Sequence, residues 1–139
     1  MKIGVMLDEG AKMPTKAHAE DAGFDLYAPE RVVLRRNDSV VINTGVHMEI
    51  PRGYVGFLKS KSGLNVKHGV SGEGVVDAGY TGSIVAKLYN NGTDIVVFEE
   101  GQKIIQIVIL PIPEVELVLV DRFEDSARGN NGFGSSGKF

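Results

Sequence analysis

Five short stretches of the sequence hold residue types that can do chemistry, and the most suggestive is Gly74-Val75-Val76-Asp77-Ala78-Gly79-Tyr80-Thr81-Gly82. Two valines lead into an acid, and a glycine-containing turn follows before an aromatic ring. That order reads as a hairpin holding Asp77 close to Tyr80. A carboxylate fixed beside a pocket can orient and deprotonate a water, or accept hydrogen bonds from a sugar hydroxyl. The same residues also suit a plain turn, with Asp as turn former and Tyr half-buried on a strand.

Lys59-Ser60-Lys61-Ser62-Gly63-Leu64 sets two lysines and two serines at a strand end, just before a candidate helical turn. Hydroxyls and N–H groups at a helix start bind phosphate, although Ser60 or Ser62 can serve simply as an N-cap. Gln106 interrupts an otherwise apolar run from Gly101 to Leu110. An amide there must be hydrogen-bonded or cost about 1–3 kcal/mol, either as structural glue or as a ligand contact on a rigid strand. Asp25, within Ala22 to Ala28, falls opposite Phe24 and Leu26 on an alternating strand, as a solvent-facing residue or a functional acid.

The last of the five is Arg128-Gly129-Asn130-Asn131-Gly132-Phe133-Gly134-Ser135-Ser136-Gly137. Its glycines, Gly134 among them, let successive N–H groups turn inward as an anion nest. Arg128 adds a planar cation suited to phosphate, and Ser135 and Ser136 add hydroxyls. Phe133 has no core to join and can stack on a flat partner such as a nucleobase. Composition alone equally fits a disordered Gly/Ser terminus. His18, His47 and His68 show no spacing with acids that suggests a metal centre or a triad, and read as surface or strand residues. The acids are single, so a magnesium ion would arrive with substrate phosphates that supply most of its ligands.

The elements that position these residues are short. Arg31 to Leu34, Val40 to Asn43, Tyr54 to Lys59, Ile84 to Tyr89, Ile95 to Phe98, Lys103 to Leu110 and Val115 to Val120 are β-branched runs bounded by Gly, Pro, Asn or Asp. Such runs are expected as strands. Helical periodicity is nearly missing, with Ala17 to Ala22 and Ser62 to His68 the best candidates. The expected fold is therefore an all-β sandwich or jelly-roll barrel. Residues 1–121 form its single domain, and residues 122–139 a mobile glycine-rich tail.

The chain has 139 residues, 42% apolar and 24% charged, with no cysteine and a formal charge of −3. Disulfides, thiolate nucleophiles and zinc–thiolate sites are excluded. That charge gives no broad cationic surface for duplex nucleic acid. Apolar runs fall far short of a membrane span and Met1 to Asp8 lacks a signal-peptide pattern, so a soluble, cytoplasmic protein is expected.

Taken in order, Ala22 to Ala28, Lys61 to Leu64, Gly74 to Gly82, Gly101 to Gln106 and Arg128 to Gly137 resemble the five motifs of the trimeric dUTP pyrophosphatases (dUTPases). The resemblance implies a jelly-roll subunit, a homotrimer with active sites shared between subunits, and hydrolysis of dUTP to dUMP and pyrophosphate with Mg²⁺. By similarity, Asp77 activates the water that attacks the α-phosphorus and also meets the ribose 3′-hydroxyl. Tyr80 packs under the deoxyribose, and the backbone of Gly74, Val75 and Val76 pairs with the uracil edge. Lys61, Ser62, Gly63 and Gln106 contact phosphates, and Asp25 faces the metal through its waters. The tail closes as a lid, with Phe133 over uracil and Arg128, Gly134, Ser135 and Ser136 around the phosphates.

Two positions depart from the family pattern. Lys61 stands where arginine is usual, keeping charge but losing the bidentate fork. Ser136 replaces the usual threonine. The related dCTP deaminases share the fold and a similar turn, but use a glutamate where Lys87 stands here. A non-catalytic trimer that binds a regulatory protein is the third reading. Asp77 and Phe133 are both retained, which favours catalysis, and a regulatory partner is left open.

Overall fold

The computed structural model describes residues 1–139, and the chain is built almost wholly from antiparallel strands. In order these are β1 (Val5–Leu7), β2 (Gly23–Tyr27), β3 (Val32–Leu34), β4 (Ser39–Asn43), β5 (Val46–Met48) and β6 (Tyr54–Lys59). A single helix α1 (Ser62–His68) precedes β7 (Val70–Ser71), β8 (Glu73–Val76), β9 (Val85–Asn90), β10 (Val96–Phe98) and β11 (Lys103–Pro111). No helix is long and apolar enough to cross a membrane.

Two larger sheets, β2-β11-β6-β8 and β4-β9-β7, are accompanied by the pairs β1-β5 and β10-β3. One cluster of 17 buried side chains joins all four sheets, with Leu26, Leu58 and Ile107 from the first, Ile42 and Leu88 from the second, and Val46, Leu34 and Phe98 from the pairs. Strand β9 shows the physics most plainly. Ala86, Leu88 and Asn90 are buried while Val85, Lys87 and Tyr89 are exposed, the period of two that a one-faced strand requires. Asn90 tolerates full burial because its amide donates to the Leu34 and Asp94 carbonyls and accepts from Gly92 N–H. On β11, both Ile104 and Ile105 are buried because the register shifts between Lys103 and Ile105, a bulge that turns two successive residues inward.

Two expected elements are absent. Ala17 to Ala22 is not helical, for it lacks an apolar stripe and the Asp21 carboxylate captures the His18 N–H at 2.9 Å in a local turn. Val115 to Val120 has the composition of a strand but no strand beside it within the chain, and its side chains stand exposed. Helix α1 forms as expected and ends at Gly69, whose φ of 67° makes the left-handed cap.

Candidate active site

Strand β8 is the edge of its sheet, bonded to β6 on one side only. Past Val76 the chain turns through Asp77–Gly82 and enters β9 in the other large sheet, where Val85–Leu88 pair with β4 on one side only. The expected hairpin is thus corrected: no ladder joins the two arms, because each is claimed by a different sheet. They splay, and between them lies a cleft of ≈ 210 Å³ lined by Gly74, Val75, Val76, Asp77 and Tyr80 among others. Backbone groups of β8 that point away from β6 have no backbone partner.

The turn itself is tightly made. Tyr80 N–H donates to the Asp77 carbonyl at 3.2 Å, and Gly79 takes a φ of 82°. The Tyr80 hydroxyl donates to the Ser83 carbonyl at 3.0 Å, which lays the ring across Gly82. A Cβ at Gly82 would lie 2.4 Å from the Tyr80 hydroxyl oxygen, so glycine is what lets the ring lie there. Asp77 is exposed at the cleft's rim.

A second group of the expected residues meets on the four-stranded sheet. The register aligns Asp25, Gln106, Lys59 and Glu73 in one row across β2, β11, β6 and β8. Asp25 is only 4% exposed, not solvent-facing, because the sheet closes over it and two lysines compensate its charge. One carboxylate oxygen accepts from Lys61 Nζ, and the other from Lys103 Nζ at 2.7 Å. Burial alone would push this carboxyl up, but the Lys103 and Lys61 ammonium groups outweigh it and hold it below the usual carboxylate range. Asp25 therefore stays ionised at neutral pH, and its pairing is lost only as pH falls through that lowered value. The partner effect raises Lys103.

Gln106 Nε2 donates to the Ser60 carbonyl at 3.1 Å, and its side chain lies in the space a Cβ at Gly23 would fill, 2.5 Å from Oε1. Ser60 is not an N-cap. Its hydroxyl exchanges hydrogen bonds with the Gly72 backbone, stapling the end of β6 to the segment before β8. Ser62 is the first helical residue, and Lys61 occupies the cap position without a side-chain cap bond. The N–H groups of Ser62, Gly63 and Leu64 consequently have no intrahelical acceptor, and nothing lies within 4 Å of a Cβ placed on Gly63. Sequence alone gives Lys103 only a weak signal, a cation heading an apolar strand.

The tail is a third, separate place. Arg128, Phe133, Gly134, Ser135 and Ser136 are not brought to the cleft or to the lysine cluster. Arg128 Nε donates to the Asn131 carbonyl at 2.8 Å, and Ser135 Oγ to the same oxygen at 3.2 Å. Every hydrogen bond within residues 126–137 stays inside the tail. Phe133 is fully exposed with a φ of 45°.

The profile of the dUTPase family matches residues 9–137. The chain belongs to the dUTPase family. It is 40% identical over 136 residues to the deoxyuridine 5′-triphosphate nucleotidohydrolase of Clostridium tetani, covering 96% of this chain and 94% of that one. The corresponding protein of Gloeobacter violaceus is 41% identical over 130 residues, covering 90% and 88%. Among solved structures, a variant of the Staphylococcus bacteriophage 80alpha dUTPase with dUpNHpp superposes with a TM-score of 0.91 at 34% identity, covering 99% of both chains. A variant of the dUTPase of S. aureus phage phi11, described with a coordinated structural Mg(II) ion, gives 0.82 at 33% identity, covering 90% of this chain and all of that one. The jelly-roll expectation is borne out by these dUTPase neighbours.

The dUTPase chain has no group of three His, Asp or Glu side chains that could hold a metal ion. Divalent magnesium takes six oxygen ligands, so these residues do not keep one resident by themselves. They do fit an ion that enters with a triphosphate. Each Asp25 oxygen has a lone pair beyond the one given to its lysine, and can accept from a metal-bound water.

Proposed function

We propose that the chain hydrolyses dUTP to dUMP and pyrophosphate as a homotrimer whose active sites are shared between subunits. The observation that carries this reading is the cleft that places Asp77, Tyr80 and the open edge of Gly74–Val76 together. An unpaired strand edge presents alternating N–H and C=O groups, the complement of a uracil edge. The packed walls have little room for thymine's methyl, and overfilling costs about 1–3 kcal/mol. Tyr80, fixed by Ser83 and Gly82, supports the sugar and excludes a 2′-hydroxyl. Asp77 accepts from the 3′-hydroxyl and takes the proton of the water that attacks the α-phosphorus in line.

There is little covalent work for the protein beyond that proton transfer, so positioning and charge neutralisation dominate. Two ammonium groups against one carboxylate leave the Lys61–Lys103–Asp25 cluster with a net positive charge near the free N–H groups of Ser62 and Gly63. With Gln106 these residues receive the phosphates, and Asp25 reaches a substrate-borne Mg²⁺ through water. That ion neutralises charge on the phosphate oxygens. The tail supplies Phe133 over the base and Arg128, Gly134, Ser135 and Ser136 around the outer phosphates.

Two features support the trimer. The cleft and Asp25 lie on strands at opposite edges of one sheet, ~14 Å apart at ~4.8 Å per strand, and the tail touches neither, so one chain does not close a site. The segment after β11 also leaves Leu117 94% and Leu119 98% exposed on an unpaired strand-like run, which a neighbouring copy would cover.

Incubation with dUTP and Mg²⁺ should release pyrophosphate and dUMP in equal amounts, from a particle of three chains in sedimentation. Ammonia released from dCTP, or a fully active monomer, would overturn the respective part. Lys61→Ala should weaken dUpNHpp binding about tenfold, the scale of one charged hydrogen bond, while dUMP binding changes far less. Equal losses for both ligands would deny Lys61 a contact with the outer phosphates.

A further inference from the structure

The Asp77–Gly82 turn is held from one side by the stretch that joins β4 to β5 and runs on to β6. At its base, the Thr44 hydroxyl and N–H both donate to the Ile84 carbonyl, at 2.7 and 3.0 Å, and Ile84 N–H donates to the Val46 carbonyl at 2.8 Å. Ser83 Oγ bonds to Asn43 Oδ1. Near the apex the backbone ties are sparse, with Gly79 N–H reaching the Ile50 carbonyl at a long 3.4 Å. The other tie there is a side chain. His47 Nδ1, on β5, lies 2.7 Å from the Thr81 carbonyl oxygen, and its Nε2 lies 2.9 Å from Asp8 Oδ1.

We propose that His47 is a positioning residue for the nucleoside turn, and that its doubly protonated ring is the form that clamps Thr81 to Asp8. The chemistry of the two partners carries this. A carbonyl and a carboxylate oxygen only accept, so both ring nitrogens must donate, and a neutral imidazole has one N–H while the imidazolium has two. Asp8 is itself fixed, its N–H donating to the Gly45 carbonyl at 2.8 Å and its carbonyl accepting from Ala11 N–H at 3.0 Å. The clamp therefore joins the catalytic turn to a rigid corner following β1. The ring keeps 25% of its surface, so solvent protons reach it.

The Thr81 carbonyl and the Asp8 carboxylate raise the pKa of His47. A raised histidine pKa means the clamp is complete below the ordinary imidazole range and is lost as pH rises through the folded value. Other titratable groups on the packed elements are Asp77 and Tyr80 on the turn and Glu49 just after β5. Asp8 is the one that bonds the ring. When the second proton leaves, one of the two bonds fails and the turn carrying Tyr80 and Asp77 loosens against Gly74–Val76. The effect should fall on KM more than on kcat, because the sugar is gripped by Tyr80 on the part of the turn that moves.

This inference rests on the dUTP reading, and its test separates the two. The wild type, His47→Asn and His47→Ala are assayed for dUTP hydrolysis from about pH 6 to about pH 9, and the His47 ring is titrated by NMR in wild type and Asp8→Asn. Wild-type KM should rise about 3–10-fold through the His47 titration, the scale of one hydrogen bond. An Asn amide nitrogen can stand where Nδ1 does but does not reach Asp8 and does not titrate, so His47→Asn holds one of the two bonds at every pH and should show a flat KM near the wild type's high-pH value. His47→Ala should show a high, flat one. Asp8→Asn should lower both the NMR midpoint and the midpoint of the KM rise. A wild-type KM profile in His47→Ala, or an unchanged inflection in His47→Asn, would overturn the inference. Failure of the dUTP reading would appear instead as no pyrophosphate at any pH, with the Asp8-dependent NMR shift intact.

Discussion

Asp77→Asn is expected to lower kcat for dUTP by about 10²–10⁴-fold while leaving dUpNHpp affinity within a fewfold of wild type. Asn keeps the shape of the side chain and one carbonyl oxygen, so the hydrogen bond from a ribose hydroxyl survives. What disappears is the group that can take a proton. The flanking geometry gives no reason for the turn to collapse, because Tyr80 N–H bonds to the backbone carbonyl of Asp77 and not to its carboxylate. No side-chain hydrogen bond or ion pair of Asp77 holds the fold, and it stands exposed at the rim of the cleft. A carboxylate without a structural partner at the one splayed junction between two sheets is placed for a ligand or for water. Single-turnover kinetics beside equilibrium binding of dUpNHpp decide the matter. Near-normal turnover in the variant would remove Asp77 from its role. Equal losses in binding and turnover would make it a binding group and not a base.

How much of this was legible beforehand follows from the range of the interactions involved. Apolar, β-branched runs bounded by turn residues are local signals, so strands such as β6 and β11 emerge from their own residues, and the helix Ser62–His68 from its flanking turn chemistry. Pairing is not local. Glu73–Val76 and Val85–Asn90 look like the two arms of a hairpin because only a short turn separates them, yet β6 and β4 capture one each. That splaying opens the cleft, and no reading of the turn alone contains it. The same holds for Asp25. Its alternation with Phe24 and Leu26 is a local pattern, but its burial depends on Lys61, 36 residues away, and on Lys103 across the sheet. Val115 to Val120 marks the opposite case: the strand-like pattern is present and the partner is not in the chain.

The lysine at position 61 illustrates how a substitution is absorbed. An arginine there would present a planar fork to a phosphate, whereas a lysine is a point charge on a flexible stem. In this chain Asp25 restores some of the lost direction by holding the Lys61 ammonium group at a defined place beside the open start of α1. Preorganisation has been moved from the cation's own shape to its acidic partner. The arrangement holds a cation beside the start of α1 without leaving two adjacent lysines to repel each other, since Lys103 shares the same carboxylate.

Removing the tail from Arg128 onward is expected to cut kcat by about 10²–10³-fold without changing the assembly state or the thermal midpoint appreciably. The reasons are structural. Residues 126–137 make no hydrogen bond to the body, and Phe133 is wholly exposed, so the fold draws no support from them. Their left-handed backbone at Phe133, Gly134 and Gly137 is tolerated because glycines carry most of it. A segment with this few contacts in the empty state can be recruited wholly by a ligand, and in the proposed closure phosphate and base contacts offset its ordering cost. On the proposed reading, closure removes water from around the α-phosphorus and brings the Arg128 guanidinium to charge that develops on the leaving pyrophosphate. Trypsin offers an independent readout, since Arg128 is followed by Gly129 and lies exposed. Cleavage there should be fast in the free protein and suppressed by dUpNHpp with Mg²⁺, but not by dUMP, which lacks the outer phosphates proposed for the tail. Normal turnover by the truncated protein would end the lid argument, and equal protection by dUMP would confine the tail to the base.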